Sequence, residues 1–348
     1  MRYRKLGRSG LLVSELCLGT MTYGGKGFWQ VIGDLGIDAV AGQLKRAMDA
    51  GVNFLDTANV YHEGESEKLV GQALTRLGVN RDAIVLATKV RGRMGPGPNE
   101  TGLSRKHILS SIDASLKRLG TDYVDLYQIH GVDTVTPLEE TVDAMDTVVR
   151  SGKARYVGFC NLPAWTAMKA LALADRAGKS RFVSAQVFYT IASRDIEREL
   201  VPLATDEGLG IMPWSPLAGG LLTGKYAPDA KGPEGARRSN FDFPLVDKPR
   251  AFACVDAMRP IAEAHGVSVS QVALAYLLAK PHVTSVIIGA RTDAQLDDNL
   301  AAVKVKLTED DLKTLDAVSA LPPEYPGWMV QFQNGRDLNA DGSPRSGS

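Results

Sequence analysis

Asn53-Phe-Leu-Asp-Thr-Ala-Asn-Val-Tyr61 is the stretch on which the fold turns. The apolar pair Phe54 and Leu55 runs into Asp56, and a polar turn then delivers Tyr61 five residues past the acid, as where a strand ends and a loop begins. An acid at the end of a buried strand has lost most of its water and needs a cation or several hydrogen bonds to remain charged. The next apolar run, Ile84-Val-Leu-Ala-Thr-Lys89, ends in a cation, and the one after it, Val124-Asp-Leu-Tyr-Gln-Ile-His130, ends in a histidine. Three successive strand-like runs thus finish in Asp, Lys and His, and in a parallel barrel such ends meet on one rim.

The rest of the chain follows the same rhythm. Leu16 to Leu18, Arg155 to Phe159, Phe182 to Gln186, Leu209 to Trp214 and Ser285 to Ile288 complete a set of eight strand-like runs, with helical or inserted segments between them. Val40, Leu44, Ala47 and Met48 share a helical face that Gly51 stops, and a second helix is expected over Ser66 to Leu77. Ser104 fits an N-cap for a helix carrying Ile108, Ile112, Leu116 and Leu119, with Gly120 just past its end. Thr136-Pro-Leu-Glu139 fits a capping box opening a helix to about Ser151. Further helices are expected around Pro163 to Ala177 and Asp195 to Glu207. A doubly wound sheet would place a Gly-rich loop after its first strand, but Gly25-x-Gly27 needs a glycine at position 30 and finds Gln30.

The expected fold is therefore α/β, a (β/α)8 barrel. A hairpin over residues 1–14 precedes it, a long loop at 225–249 follows the seventh barrel strand, and a C-terminal tail folds over the rim. Residues 1–322 form one barrel in this reading, and 323–348 a tail whose last ten residues are expected to be mobile.

Composition narrows the function. The 348 residues carry 40 Lys and Arg against 40 Asp and Glu, so no electrostatic footprint points to nucleic acid or an anionic membrane. Three cysteines, Cys17, Cys160 and Cys254, are odd in number and widely spaced, which fits reduced thiols in the cytoplasm. The N-terminus lacks an apolar signal core, and the histidines form no His-x-x-x-His pair, so no metal is expected. Small neutral or cofactor-bound substrates fit this balance. Gly219-Gly-Leu-Leu-Thr-Gly224-Lys225 imitates a phosphate loop, but Tyr226 stands where Ser or Thr is required and Pro228 opposes a following helix.

A tyrosine is a poor proton donor at neutral pH because its reference pKa is about 10. An adjacent ammonium favours the phenolate, and a buried carboxylate holds that ammonium charged and in place. Asp56, Lys89 and Tyr61 are thus expected to form a general acid poised nearer neutrality, with His130 orienting the substrate oxygen or relaying the proton. Protonating a carbonyl oxygen while hydride reaches the carbon suits this set.

At these residues the chain resembles the aldo-keto reductases. Asp56-Thr-Ala-x-x-Tyr61 with Gly64-x-Ser66-Glu67 and Gly71-x-Ala73-Leu74 is similar to the family's first signature, and Lys89 in Ala87-Thr-Lys and His130 in Leu126-Tyr-Gln-Ile-His match its other catalytic positions. The resemblance runs from the hairpin to about residue 320. It implies a barrel that binds a nicotinamide cofactor, NADPH in preference to NADH, without a Gly-rich fingerprint, and reduces an aldehyde or ketone reversibly. It also implies that Asn161 and Gln186 hold the nicotinamide carboxamide and that Trp214 stacks on the ring. Ser215, Pro216, Leu217, Gly219 and Leu221 would then follow the pyrophosphate, with the loop from Lys225 closing over it. Gly289, Arg291, Thr292, Gln295, Asp298 and Asn299 resemble the adenosine end, Arg291 facing the 2′-phosphate, for which a planar guanidinium is suited. The family usually has Ser-Asn where this chain has Cys160-Asn161, and a thiol is the weaker hydrogen-bonding group.

Substrate choice is expected to lie in Tyr23, Phe28 and Trp29 on the first long loop, in the 225–249 loop, and in Trp328 and Phe332. Rival readings are a cofactor-sensing regulatory subunit, like the potassium-channel beta subunits that resemble this family, and a barrel that only binds.

Overall fold

We describe residues 1–227, 238 and 241–333 of a computed structural model of the protein. The expected mobile C-terminus and residues 228–237, 239 and 240 of the long loop lie outside these.

Strands β1 (Tyr3–Lys5) and β2 (Leu12–Ser14) pair antiparallel as the expected hairpin. Eight parallel strands follow: β3 (Leu16–Gly19), β4 (Phe54–Asp56), β5 (Val85–Val90), β6 (Val124–Ile129), β7 (Ala154–Cys160), β8 (Phe182–Phe188), β9 (Gly210–Trp214) and β10 (Val286–Ile288). They run β10-β3-β4-β5-β6-β7-β8-β9 around a nearly closed barrel with helices between them. The seam between β9 and β10 is spanned by an Ile211–Val283 bridge, with the Thr284 amide donating to Ile211 O at 2.8 Å.

Alternation along each strand sorts the side chains into two cores. Inward go Cys17, Phe54, Val85, Ala87, Leu126, Met212 and Ile287, and Leu6 and Val13 of the hairpin join them as a plug. Outward go residues such as Leu55, Leu86 and Tyr127, which meet the covering helices. With both faces covered, the strands read as continuous apolar runs. On the helix Arg105–Leu119, Ile108 and Ile112 are fully buried in the outer core, and each such side chain contributes about 1.5–3 kcal/mol. Ser104 caps that helix by accepting from the His107 amide, and Gly120 ends it at φ 66°. Gly71, on the helix Glu65–Arg76, lies so close to the end of that helix that an added Cβ would strike the Leu119 carbonyl.

Two expectations need correction. The capping box at Thr136 does not form: its hydroxyl donates to Asp133 Oδ2 at 2.7 Å, and the helix Leu138–Arg150 starts with no side-chain cap. Asp133 wins that hydroxyl because it already gathers the loop, accepting from the amides of Leu103 and Val135. The expected helix from Asp195 to Glu207 is broken into a short turn at Asp195–Glu197 and a helix at Leu200–Glu207. Pro202 has no N–H and its ring crowds the carbonyl four residues back, which disfavours a helix continuing through it from Asp195.

No single helix among the described residues is long and apolar enough to cross a membrane.

Candidate active site

The three strand ends converge as the barrel register requires. Lys89 Nζ donates to Asp56 Oδ2 at 2.5 Å, to the Thr57 carbonyl at 2.8 Å and to Tyr61 Oη at 3.2 Å. An ammonium has three hydrogens, and each has an acceptor here. Asp56 Oδ1 receives Gln128 Nε2 at 3.0 Å and Gln186 Nε2 at 2.9 Å, so the carboxylate is satisfied on both oxygens. Lys89 is fully buried and Asp56 2% exposed. The pair is the buried, hydrogen-bonded arrangement that keeps two charges tolerable away from water.

Tyr61 opens a short turn, Tyr61–Gly64, in which His62 (φ 49°) and Glu63 (φ 58°) are left-handed. Such conformations cost non-glycine residues of order 1 kcal/mol each and persist where surroundings over-determine them. Here the His62 ring does so: Nδ1 accepts from the Lys26 amide at 3.3 Å, and Nε2 lies 3.0 Å from the Met21 carbonyl. Trp29 and His130 meet the Tyr61 ring edge-on, with centroids 5.4 and 5.7 Å away. The phenol is thus fixed from three sides.

The electrostatics correct the expectation for Tyr61. Burial is the largest influence and raises its pKa, Lys89 lowers it, and Asp56 raises it again, leaving the phenol above its ordinary value. The carboxylate that holds Lys89 also opposes its effect on the phenol. Burial by itself lowers the Lys89 ammonium, but interactions led by Asp56 outweigh it and hold the group charged above its ordinary range. Burial, then Lys89 and Arg91, keep the His130 imidazole well below its usual pKa and hence neutral at pH 7.

Asp56, Tyr61 and His130 open into a cavity of about 1000 Å³, with Lys89 behind them. Asn161, Gln186 and Trp214 also line it. Asn161 (φ 53°) accepts from Trp214 Nε1 at 2.8 Å. The Gln186 amide hydrogens go to Asp56 and Gln128, which leaves its carbonyl oxygen to face an incoming group. Cys160 does not reach the cavity: it is fully buried, its Sγ 3.9 Å from Gln128 Oε1.

Ser215, Pro216, Leu217 and Gly219 form the next part of the wall. The backbone is left-handed at Ser215, Ala218, Gly219 and Gly220, a tight turn closed by the Gly219 amide donating to Ser215 Oγ at 3.1 Å. Lys225 and Arg291 line the same cavity, close enough that Arg291, after burial, lowers the Lys225 pKa. Two converging cations make an anion the natural complement. Arg291 is oriented by donating from Nε to Ile32 O at 2.8 Å and from Nη2 to Val31 O at 2.5 Å. Gly289, Gln295, Asp298 and Asn299 complete this side, where a Cβ on Gly289 would meet only Gly19 O, at 4.0 Å. Asp298 already accepts from Ser268 and Gln271, and the Asn299 amide donates to Gly289 O. Leu221 and Thr292 lie off the wall: Leu221 is packed in the outer core, and Thr292 caps the helix Asp293–Ala301.

Phe28 and Trp29 line the cavity, but Tyr23, Trp328 and Phe332 do not. Tyr23 is fully buried in the outer core, its backbone bridged to Leu35. Trp328 and Phe332 are exposed on the helix Gly327–Gln333, beyond Glu324, which pairs with Arg198. Their place is taken by Phe241 and Phe243. Phe241 meets Phe28 edge-on at 5.0 Å, and Phe243 stacks on Trp214 at 5.9 Å, so the two long loops touch across the cavity. Arg238 holds this return of the chain, donating to Ala218 O at 2.7 Å and Pro244 O at 3.1 Å.

Sequence reasoning missed Gln128 and Arg91, although the signal was present. Inward alternation from His130 backwards gives Gln128, and from Ala87 and Lys89 forwards gives Arg91. No group of three or more His, Cys, Asp or Glu side chains that could hold a metal ion occurs among the described residues.

Comparison with known proteins agrees with this geometry. A profile described as "Aldo/keto reductase family" matches residues 15–320. The chain is 38% identical to "Uncharacterized oxidoreductase YrpG" of Bacillus subtilis over 94% of this chain and 100% of the relative. It is 39% identical to "Probable voltage-gated potassium channel subunit beta" of Arabidopsis thaliana, over 94% and 99%. "Versiconal hemiacetal acetate reductase" of Aspergillus parasiticus is 35% identical, again over 94% and 99%. With the barrel, the converging strand ends and these likenesses together, the chain belongs to the aldo/keto reductase family.

Proposed function

We propose that the protein is an oxidoreductase that reduces an aldehyde or ketone to the alcohol, reversibly, with NADPH as the cofactor, and that Tyr61 is its general acid. The observation that carries this reading is the Lys89 ammonium shared between Asp56 and Tyr61, directly behind the wall of a large cavity. When bound, the reduced nicotinamide supplies the hydride. In this reading Asn161 and the carbonyl oxygen of Gln186 would hold its carboxamide, Ser215 to Gly219 its phosphates, and Lys225 and Arg291 the remaining negative charge.

The chain's own residues do the proton chemistry. The raised pKa of Tyr61 keeps the phenol loaded at neutral pH, so the proton is present when a carbonyl oxygen arrives. As negative charge grows on that oxygen, the Tyr61 proton moves to it, and Lys89, 3.2 Å from Tyr61 Oη, stabilises the phenolate left behind. The lysine therefore acts mainly in the transition state, where such stabilisation raises the rate. Neutral His130 beside the phenol orients the oxygen without adding a competing charge. Trp29, Phe28, Phe241 and Phe243 offer aromatic walls.

The test is loss of NADPH absorbance in the presence of a panel of aldehydes and ketones. Tyr61→Phe should bind NADPH as the wild type does and lose about 10²–10⁴-fold in turnover, the usual worth of a positioned general acid. Turnover within threefold of wild type would remove Tyr61 from this role. The similarity to proteins named as potassium-channel beta subunits favours a second reading, a cofactor-binding subunit with little turnover. Tight NADPH binding with no consumption across the panel would select it.

A further inference from the structure

The substrate end of the cavity carries a charge that the proton chemistry leaves unused. Among the described residues that wall it there, Phe28, Trp29, Val60, Tyr61, His130 and Phe241 are aromatic or apolar, and Arg91 is the cation set among them. Its placement is not that of a loose surface side chain. The backbone at Arg91 has φ 151°, sparsely populated for a residue with a side chain, and its carbonyl is pinned by the Gly102 amide at 2.9 Å and Thr101 Oγ1 at 3.3 Å. Nε donates to Val132 O at 2.6 Å, and the side-chain stem passes over Gly131, where an added Cβ would touch it at 3.6 Å. Among the described residues no carboxylate lies within ion-pair distance of this guanidinium. The side chain is exposed and held by that one nitrogen, and Arg91 lines the cavity together with His130, whose pKa its charge helps to lower.

The geometry points to Arg91 as a specificity-determining residue that selects aromatic aldehydes or ketones bearing a carboxylate away from the reacting carbonyl. A guanidinium fork matches a carboxylate in two parallel hydrogen bonds. The aromatic walls take the ring, and Tyr61 with His130 takes the carbonyl oxygen, so one molecule satisfies the whole end of the cavity. This deepens the reductase reading above and rests on it.

The experiment compares kcat/KM for 3- and 4-carboxybenzaldehyde with the methyl-substituted counterparts, in the wild type, Arg91→Met and Arg91→Lys, with NADPH. In the wild type the better carboxylate should be preferred about tenfold, the low end for a charged hydrogen bond at a partly exposed site. The ratio should fall towards one in Arg91→Met, be intermediate in Arg91→Lys, and shrink as salt is added. A wild-type ratio near one, or one that Arg91→Met leaves unchanged, overturns the inference and leaves the reductase reading standing. Should neither class of aldehyde consume NADPH, the reductase reading fails separately. Calorimetric titration with benzoate then decides the site: heat in the wild type that Arg91→Met abolishes supports it, and equal heat or none in both overturns it.

Discussion

Breaking the Lys89–Asp56 pair one partner at a time should cost more than removing it whole. In Lys89→Met the apolar side chain fills the channel, but the Asp56 carboxylate, 2% exposed, keeps only the Gln128 and Gln186 amides as partners. In Asp56→Asn the fully buried ammonium keeps the Thr57 carbonyl and the Tyr61 hydroxyl, neither of which carries charge. Stranding one member of a buried pair typically costs about 3–5 kcal/mol. The double variant buries no charge, and Gln128 and Gln186 can still donate to the asparagine oxygen, so its loss should be smaller than either single loss. The coupling across the cycle should therefore exceed about 3 kcal/mol, at or above the upper end for residues in direct contact. Urea titration followed by circular dichroism supplies the numbers, each read from midpoint and slope. Losses that simply add, with coupling below about 0.5 kcal/mol, would refute the reasoning. Turnover supplies an independent readout, because the two variants that lack Lys89 lose the stabilisation of the Tyr61 phenolate and should be nearly inactive even where the double variant is stable.

The electrostatics give a pH prediction. Tyr61 stands above its ordinary value and must be protonated to act, and His130 stands well below its own and acts neutral. Reduction should therefore stay level from about pH 6.5 to about 9.5, between the ordinary histidine and tyrosine ranges. A limb in kcat with an apparent pKa near 7 would contradict the His130 assignment if the rate fell toward acid and the Tyr61 assignment if it fell toward base. At the other side of the cavity, Arg291→Met should weaken NADPH binding about 10- to 100-fold, the worth of a charged hydrogen bond, and leave NADH nearly unaffected. Fluorescence titration with the two cofactors checks this, and equal weakening of both would separate Arg291 from the 2′-phosphate.

Much of the architecture was legible because strand and helix periods are local. Apolar runs at regular spacing, Ser104 and Gly120 at the ends of one helix, and charged residues closing Phe54–Asp56, Ile84–Lys89 and Val124–His130 each depend on neighbours within a few positions. Apart from the helix that Pro202 interrupts, the misreadings arose where contacts with another segment competed. Thr136 had the local sequence of a cap, but Asp133 drew its hydroxyl into a loop anchored at Leu103. Tyr23, Trp328 and Phe332 had the bulk for a substrate wall, and nothing along the chain distinguishes an aromatic that packs outward from one that faces the cavity.

The sequence by itself determined the barrel and the meeting of Asp56, Tyr61, Lys89 and His130, because parallel strands of matched register must bring their ends to one rim. Only the tertiary structure decided the sign of the Tyr61 shift, the supporting amides of Gln128 and Gln186, and the reach of Phe241 to Phe28. Those depend on distances and burial between segments far apart in the chain. A carboxylate that anchors a lysine also repels a nearby phenolate, and which influence prevails is set by ångströms that no spacing of residues encodes.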